Sequence, residues 1–259
     1  IMILFDGLIL ESVVWLNGIN LGHHAYGYTR FSYDLTPYIN PVGQSNVLAV
    51  RVRNKGRTAR WYNGSGIYRD VSLIITDQVH IALNGIYVTT PEVSEEMARV
   101  NLSINVINNR EDDADVNIVT RLTSADGKEA GQAEQSEIIR SGSNKEITQT
   151  IKVNIPQLWS PDSPSLYKVE VSLLSNGKLL DADNITIGIR SIDYNAQEGL
   201  LINGKPVKLR GGCVHHDNGI LGAAAFSRAE ERKVEIMKAN GFNAIRTSHN
   251  PPSARFLDA

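Results

Sequence analysis

The chain has 259 residues, enough for two or three domains, with a formal net charge of −2 and 42% hydrophobic residues. That balance excludes a nucleic-acid partner, which needs concentrated Lys and Arg, and no apolar stretch approaches the ~20 residues of a membrane span. The single cysteine, Cys213, excludes an internal disulfide framework and a thiolate metal cluster; it reads as a small buried hydrophobe.

In chain order, Ile1 to Phe5 is apolar, too short for a signal-peptide core and without a basic flank. It reads as a strand entered partway, and it leaves the compartment unassigned. Ser12 to Leu16 is a strand, Asn17-Gly18 a strong hairpin turn, and Ile19 to Gly22 the return. Leu35 to Ile39, with Pro37, is a turn or short helical excursion. Asn46 to Val52 alternates as a strand and Val71 to Thr76 follows. Short strands with Gly, Asn and Pro punctuation predict a jelly-roll-like β-sandwich over residues 1–77. Its loop from Asn54 to Ile67 carries Arg57, Arg60, Trp61 and Tyr62. These offer ring faces and donors to a polar ligand, or else plug the end of the sandwich.

Residues 78–188 predict a second, immunoglobulin-like β-sandwich. Val100, Leu102, Ile104 and Val106 alternate with polar neighbours. Val116 to Leu122, Ile147 to Ile155 and Leu166 to Leu174 are further strands, and Asn176-Gly177 is a hairpin signal. Trp159-Ser160-Pro161 with Pro164 is a rigid corner. Glu111 to Asp113 and Asp126 to Glu137 read as solvated turns. No catalytic cluster occurs in this segment, so it reads as a spacer.

Residues 189–259 contain the Asn203-Gly204 turn, a strand from Val207 to His215, a polar loop and a helix from Ser227 to Asn240. A second strand, Phe242 to Ser248, follows, then His249-Asn250-Pro251-Pro252 and the first turns of another helix. Ser227 with Glu230 three residues on forms a capping box, and Gly241 closes the helix. Strand, helix, strand is a βαβ unit, which opens a (β/α)8 barrel and puts its chemistry at the carboxyl ends of the strands. Those ends carry His215, His216, Asp217, Arg246, His249 and Asn250. Two strands without barrel neighbours leave open edges, so this segment is expected to be poorly ordered or packed against another element. A paired His215 and His249 also suits a metal, but no spacing motif supplies a third and fourth ligand.

The order sandwich, immunoglobulin-like module, barrel resembles glycoside hydrolase family 2, the β-galactosidase, β-glucuronidase and β-mannosidase group. The resemblance rests on Tyr26-Gly27-Tyr28, Asp34-Leu35-Thr36, Asn46 to Val52, Trp61 to Val71, Asn203-Gly204-Lys205-Pro206, Leu209-Arg210-Gly211 and Phe242 to Pro251. Gly212 to Gly219, with His215-His216-Asp217, is most similar to galactosidase-type members. The resemblance implies hydrolysis of terminal non-reducing β-D-galactosides by a retaining mechanism using two glutamates. Both are expected on later strands beyond Ala259, so no residue of this chain takes a catalytic role and the chain alone is expected to be inactive. It further implies that His215, Asp217 and His249, with Arg60 and Trp61 at the rim, bind substrate. Arg246, with Asn250 behind it, would support the nucleophile, a fixed positive charge keeping a neighbouring carboxylate ionised. The implied partner is a β-galactoside or related oligosaccharide, no cofactor or metal is called for, and a homo-oligomer of the full-length protein is left open. The alternatives are a β-glucuronidase or β-mannosidase of the same family, or a carbohydrate-binding or assembly module without hydrolysis.

Overall fold

The computed structural model describes residues 1–55, 61 and 63–259, and the chain forms two compact units: Ile1–Ile75 with Leu209–Ala259, and Thr76–Lys208.

In the first unit, Met2–Phe5 lies between Phe31–Asp34 and Val71–Ile74 in an antiparallel sheet, with Ile3 opposite both Tyr33 and Leu73. A second antiparallel sheet centres on Glu11–Leu16, flanked by Ile19–His24 and Leu48–Arg53. Side chains of alternating pleat meet between them. Ile3 and Phe5 come from one sheet, Val14 and Leu16 from the other, and Leu8 and Leu35 complete the buried cluster. Burying each such side chain contributes about 1.5–3 kcal/mol. The turn between the strands of the second sheet is as expected: Asn17 and Gly18 both have positive φ, 51° and 83°, the geometry of a tight two-residue hairpin.

The second unit pairs a three-stranded antiparallel sheet (Ser143–Asn154, Met97–Asn108, Val79–Val93) with a four-stranded one (Glu129–Ile139, Ala114–Ser124, Tyr167–Ser175, Lys178–Ile187). Seven strands in two sheets make the immunoglobulin-like sandwich. The inward residues Val100, Leu102, Ile104, Val106, Val116, Ile118, Leu122, Val169, Val171 and Leu173 are all buried. Two facing inward positions, Thr120 and Gln149, are polar. Thr120, fully buried, donates to Gln149 Oε1 at 2.6 Å, and Gln149 Nε2 donates to the Ile118 carbonyl at 3.1 Å, so the pair is satisfied. The reading of Asp126 to Glu137 as solvated turn is corrected. Only the tip, around Gly127, is a turn, and Glu129–Ile139 is a full strand. As far as Glu137 its inward contacts come from the small Ala130 and Ala133, with the large Ile139 only at its end, too weak an apolar signal to show through the polar outer face.

A short antiparallel hairpin, Ile192–Asn195, Gly199–Ile202 and Lys205–Pro206, ends this unit. It explains why the first barrel strand is shorter than expected. The Val207 amide donates to the Leu200 carbonyl, which commits it to the hairpin, and the strand begins only at Gly211.

The βαβ segment belongs to the first unit. Gly211–Val214 and Ala244–Thr247 pair in parallel, with Gly211 opposite Ala244 and Cys213 opposite Arg246. Helix α1, Ser227–Ala239, connects them, and helix α2, Ala254–Asp258, follows the second strand. A side chain at Gly211 would run into the Ala244 carbonyl, so glycine permits this strand approach. The segment packs against the first sandwich. The Ala225 amide donates to the Tyr68 carbonyl at 2.9 Å, and Arg69 Nη2 donates to the Pro251 carbonyl at 2.9 Å.

Two local expectations fail here. Cys213 is exposed, not buried. It alternates with Val214, so it lies on the strand face away from the cavity that Val214 lines. The capping box is not formed either. Phe226 is the cap of α1 and has no side-chain cap bond, and Ser227 Oγ instead reaches Asp70 Oδ2 at 3.2 Å. Glu230 turns inward and is buried.

Candidate functional site

His215 follows directly on the first parallel strand and His249 lies two residues beyond the second. Their ring centroids are 6.0 Å apart at an interplanar angle of 74°. Trp61, from the first sandwich, stacks on His215 at 4.5 Å and 17°. Its indole Nε1–H donates to Asp217 Oδ1 at 3.2 Å, which fixes the ring. Trp61 and His249 are exposed and His215 and Asp217 half-buried, so the cluster presents one open surface.

Arg246 is placed differently. Its side chain is exposed on the strand face beside Cys213, Nη1 lying 3.5 Å from Sγ. A hydrogen bond from Ser248, and then the Arg246 guanidinium, hold the Cys213 thiol below its ordinary range. Asn250 Oδ1 accepts from the Tyr26 hydroxyl at 3.0 Å, which ties the loop after the second strand to the first sandwich. The peptide between Ser248 and His249 is cis. Thus His215, His249, Trp61 and Asp217 converge, Arg246 flanks them on the strand, and Asn250 acts one step behind. Arg60, expected at the rim, lies outside the described residues, as do Arg57 and Tyr62.

Behind the strand ends is a cavity of about 20 Å³ lined by His215, His216, Glu230, Lys233, Ser248 and Phe256 among others. It has room for about one water. Among the described residues no three His, Cys, Asp or Glu side chains gather as metal ligands.

Sequence reasoning missed the polar supports of this cavity. Arg69 is 7% exposed; its Nη1 donates to the Tyr28 carbonyl at 3.0 Å, and its guanidinium stands 4.8 Å from the Tyr68 ring. His216 packs edge-on against Tyr28 and Tyr68, and its Nε2 faces the Asn63 carbonyl at 3.1 Å. Burial pushes its pKa down, against the raising effects of the Asn63 carbonyl and Asp217. Burial also raises the Tyr68 phenol well above its usual range. On α1, Glu230 accepts from Asn218, Lys233 and Ser253. Apart from the Glu230–Lys233 pair three residues apart on the helix, these hydrogen bonds are not signalled by spacing, since their partners lie 12 to 182 residues apart in the chain.

The order of two β-sandwiches and a parallel βαβ unit is matched by the models of a known family. The model of glycosyl hydrolases family 2 matches residues 79–190 and that of the family's TIM barrel domain residues 195–259. The chain is 42% identical over 255 residues to "Beta-galactosidase BoGH2A" of Bacteroides ovatus, covering 98% of this chain and 30% of that protein. It is 36% identical over 255 residues to a "Putative beta-glucuronidase" of Formosa agariphila, covering 98% of this chain and 24% of that protein. The crystal structure of a family 2 member from Bacteroides cellulosilyticus superposes with a TM-score of 0.96 at 43% identity, over 99% of this chain and 35% of that one. A Bacteroides uniformis β-glucuronidase gives a TM-score of 0.91 at 31% identity, over 99% of this chain and 32% of that one. The chain belongs to glycoside hydrolase family 2, and it spans about a third or less of the length of these relatives.

Proposed function

We propose that this chain is the amino-terminal part of a retaining β-glycosidase acting on terminal non-reducing β-D-galactosides, and that it supplies the sugar-holding side of the cleft. The observation that carries this reading is the convergence of His215, His249 and Trp61 at the carboxyl ends of two adjacent parallel strands, with rings 6.0 Å and 4.5 Å apart. Each imidazole can donate and accept one hydrogen bond, which suits vicinal hydroxyls, and the Asp217 carboxylate can accept from a third. The indole offers an apolar face to the C–H side of a sugar ring. In this reading Arg246 stands where its positive charge favours the ionised form of a nucleophilic carboxylate brought by a later strand, while Asn250 holds the loop that presents His249. Arg60 is assigned to the same rim.

Among the described residues no glutamate is bonded to the side chains of this cluster, and Glu230 is buried behind it in three hydrogen bonds. The acid/base and nucleophile therefore belong to a further part of the barrel, and this chain alone does not hydrolyse glycosides. The galactoside assignment leans on similarity to a relative described as a β-galactosidase; the β-glucuronidase relatives make the glucuronide the competing substrate. The test is to assay the chain and a polypeptide extended through a complete barrel on nitrophenyl β-galactoside and β-glucuronide. Turnover of the galactoside by the extended polypeptide only is expected. Turnover by this chain alone refutes the placement of the acids, preference for the glucuronide refutes the sugar, and binding without turnover in the extended form returns the reading to a carbohydrate-binding module.

A further inference from the structure

Glu230 has no part in that reading, yet it is the most deeply buried charge near the site, 3% exposed. Its two carboxylate oxygens face opposite ways. Oε1 accepts from Asn218 Nδ2 at 3.0 Å and from Lys233 Nζ at 3.2 Å; Oε2 accepts from Ser253 Oγ at 2.9 Å. Asn218 lies in the loop that carries His215 and Asp217. Lys233 Nζ also donates to the His215 carbonyl at 3.3 Å. Ser253 closes the loop that carries His249 and Asn250, and its Oγ accepts from the Phe256 amide at 3.1 Å to cap α2. One carboxylate thus joins the loop after the first barrel strand to the loop after the second.

We propose that Glu230, through Lys233 and Ser253, is a positioning residue that sets the spacing of the His215 and His249 rings for the sugar. This rests on the function proposed above, because it names what holds that site's geometry. A carboxylate fits the task better than an amide. It accepts on both oxygens, so all three donors are satisfied at once, and the adjacent ammonium compensates its charge. The helix supplies the rigidity, since Glu230 and Lys233 are three residues apart on one face.

The test uses Ser253, which is neutral, so Ser253→Thr and Ser253→Ala leave no charge unpaired. Ser253→Thr keeps both the cap and the donor. Ser253→Asp keeps a capping oxygen, cannot donate to Glu230 and sets a second carboxylate against it. Ser253→Ala loses both. In this chain, the ring ¹⁵N and ¹H resonances of His215 and His249 report the network whatever the activity. They are expected to shift in Ser253→Ala and Ser253→Asp and to remain in place in Ser253→Thr. In the extended polypeptide, Ser253→Ala is expected to raise KM about 3- to 10-fold with kcat little changed, the size of one lost hydrogen bond, with recovery in Ser253→Thr. Histidine resonances unmoved in all three variants, or moved equally by Ser253→Thr, overturn the positioning role. An inactive extended polypeptide with the expected histidine shifts overturns the proposed function and leaves the positioning role standing.

Discussion

Replacing Glu230 by Gln keeps the side chain's shape and removes its charge. Lys233 then remains among buried groups without a counter-charge. The Glu230 side chain is 4% exposed and that of Lys233 15%. Breaking a buried pair by deleting one partner costs about 3–5 kcal/mol. Lys233 can extend part of its stem toward water, and the amide can still accept from one donor, so the lower figure of about 3 kcal/mol applies. For a cooperative unit of this size that lowers Tm by roughly 10 °C. Adding Lys233→Met removes the orphaned ammonium and places an apolar stem against Phe256, whose ring already lies 5.7 Å from Nζ. The double variant should recover at least half of the loss, because replacing both members of a buried pair is far cheaper than replacing one. Urea unfolding followed by hydrogen exchange and mass spectrometry separates this unit from the second sandwich. Loss below about 1 kcal/mol in the single variant, or a double variant no better than the single, refutes the claim that the pair is held by mutual burial.

Four other outcomes are expected. First, stability of the first unit should fall as pH drops below about 6.5, the ordinary histidine value. Burial lowers the His216 pKa in the folded chain, so the unfolded state binds more protons in that window; His216→Asn should flatten the slope of urea midpoint against pH between 7 and 5. Second, Asp77 accepts from the Val79 amide at 3.0 Å and from Arg110 at 2.8 Å, which hold its carboxyl below the usual range. Asp77→Asn should therefore destabilise the second unit at neutral pH, and the difference should vanish in acid, where the wild-type carboxylate is protonated too. Third, Cys213 should react with iodoacetamide faster than free cysteine at pH 7, and Arg246→Met should slow it, since one of the thiolate's two supports is then gone. Fourth, Gly211→Ala should destabilise the parallel strand pair by about 1–3 kcal/mol, read as faster amide exchange across Ala244–Thr247.

What was legible in the sequence follows from how far apart the partners are. The hairpins at Asn17-Gly18, Asn176-Gly177 and Asn203-Gly204 were read directly because a positive φ at both residues is a local demand, and the chain meets it with local chemistry. The two sandwiches and the βαβ unit were legible from period and punctuation. His215 and His249 could be set side by side because parallel strands order their carboxyl ends whatever fills the sheet around them. Tertiary partners were not legible. Ser227 and Glu230 have the spacing of a capping box, yet Asp70 takes the serine and Ser253, Asn218 and Lys233 take the glutamate. A capping bond worth about 1 kcal/mol yields where the alternative is a satisfied buried carboxylate. Arg69 read as one more residue of a sandwich motif, because its acceptor at Pro251 is 182 residues away. Cys213 was misassigned for a related reason: alternation says that it and Val214 face opposite ways, but not which face is covered. The cluster proposed to meet a ligand was therefore visible from strand-end chemistry, whereas the charged scaffold behind it was masked by local patterns that the fold overrides.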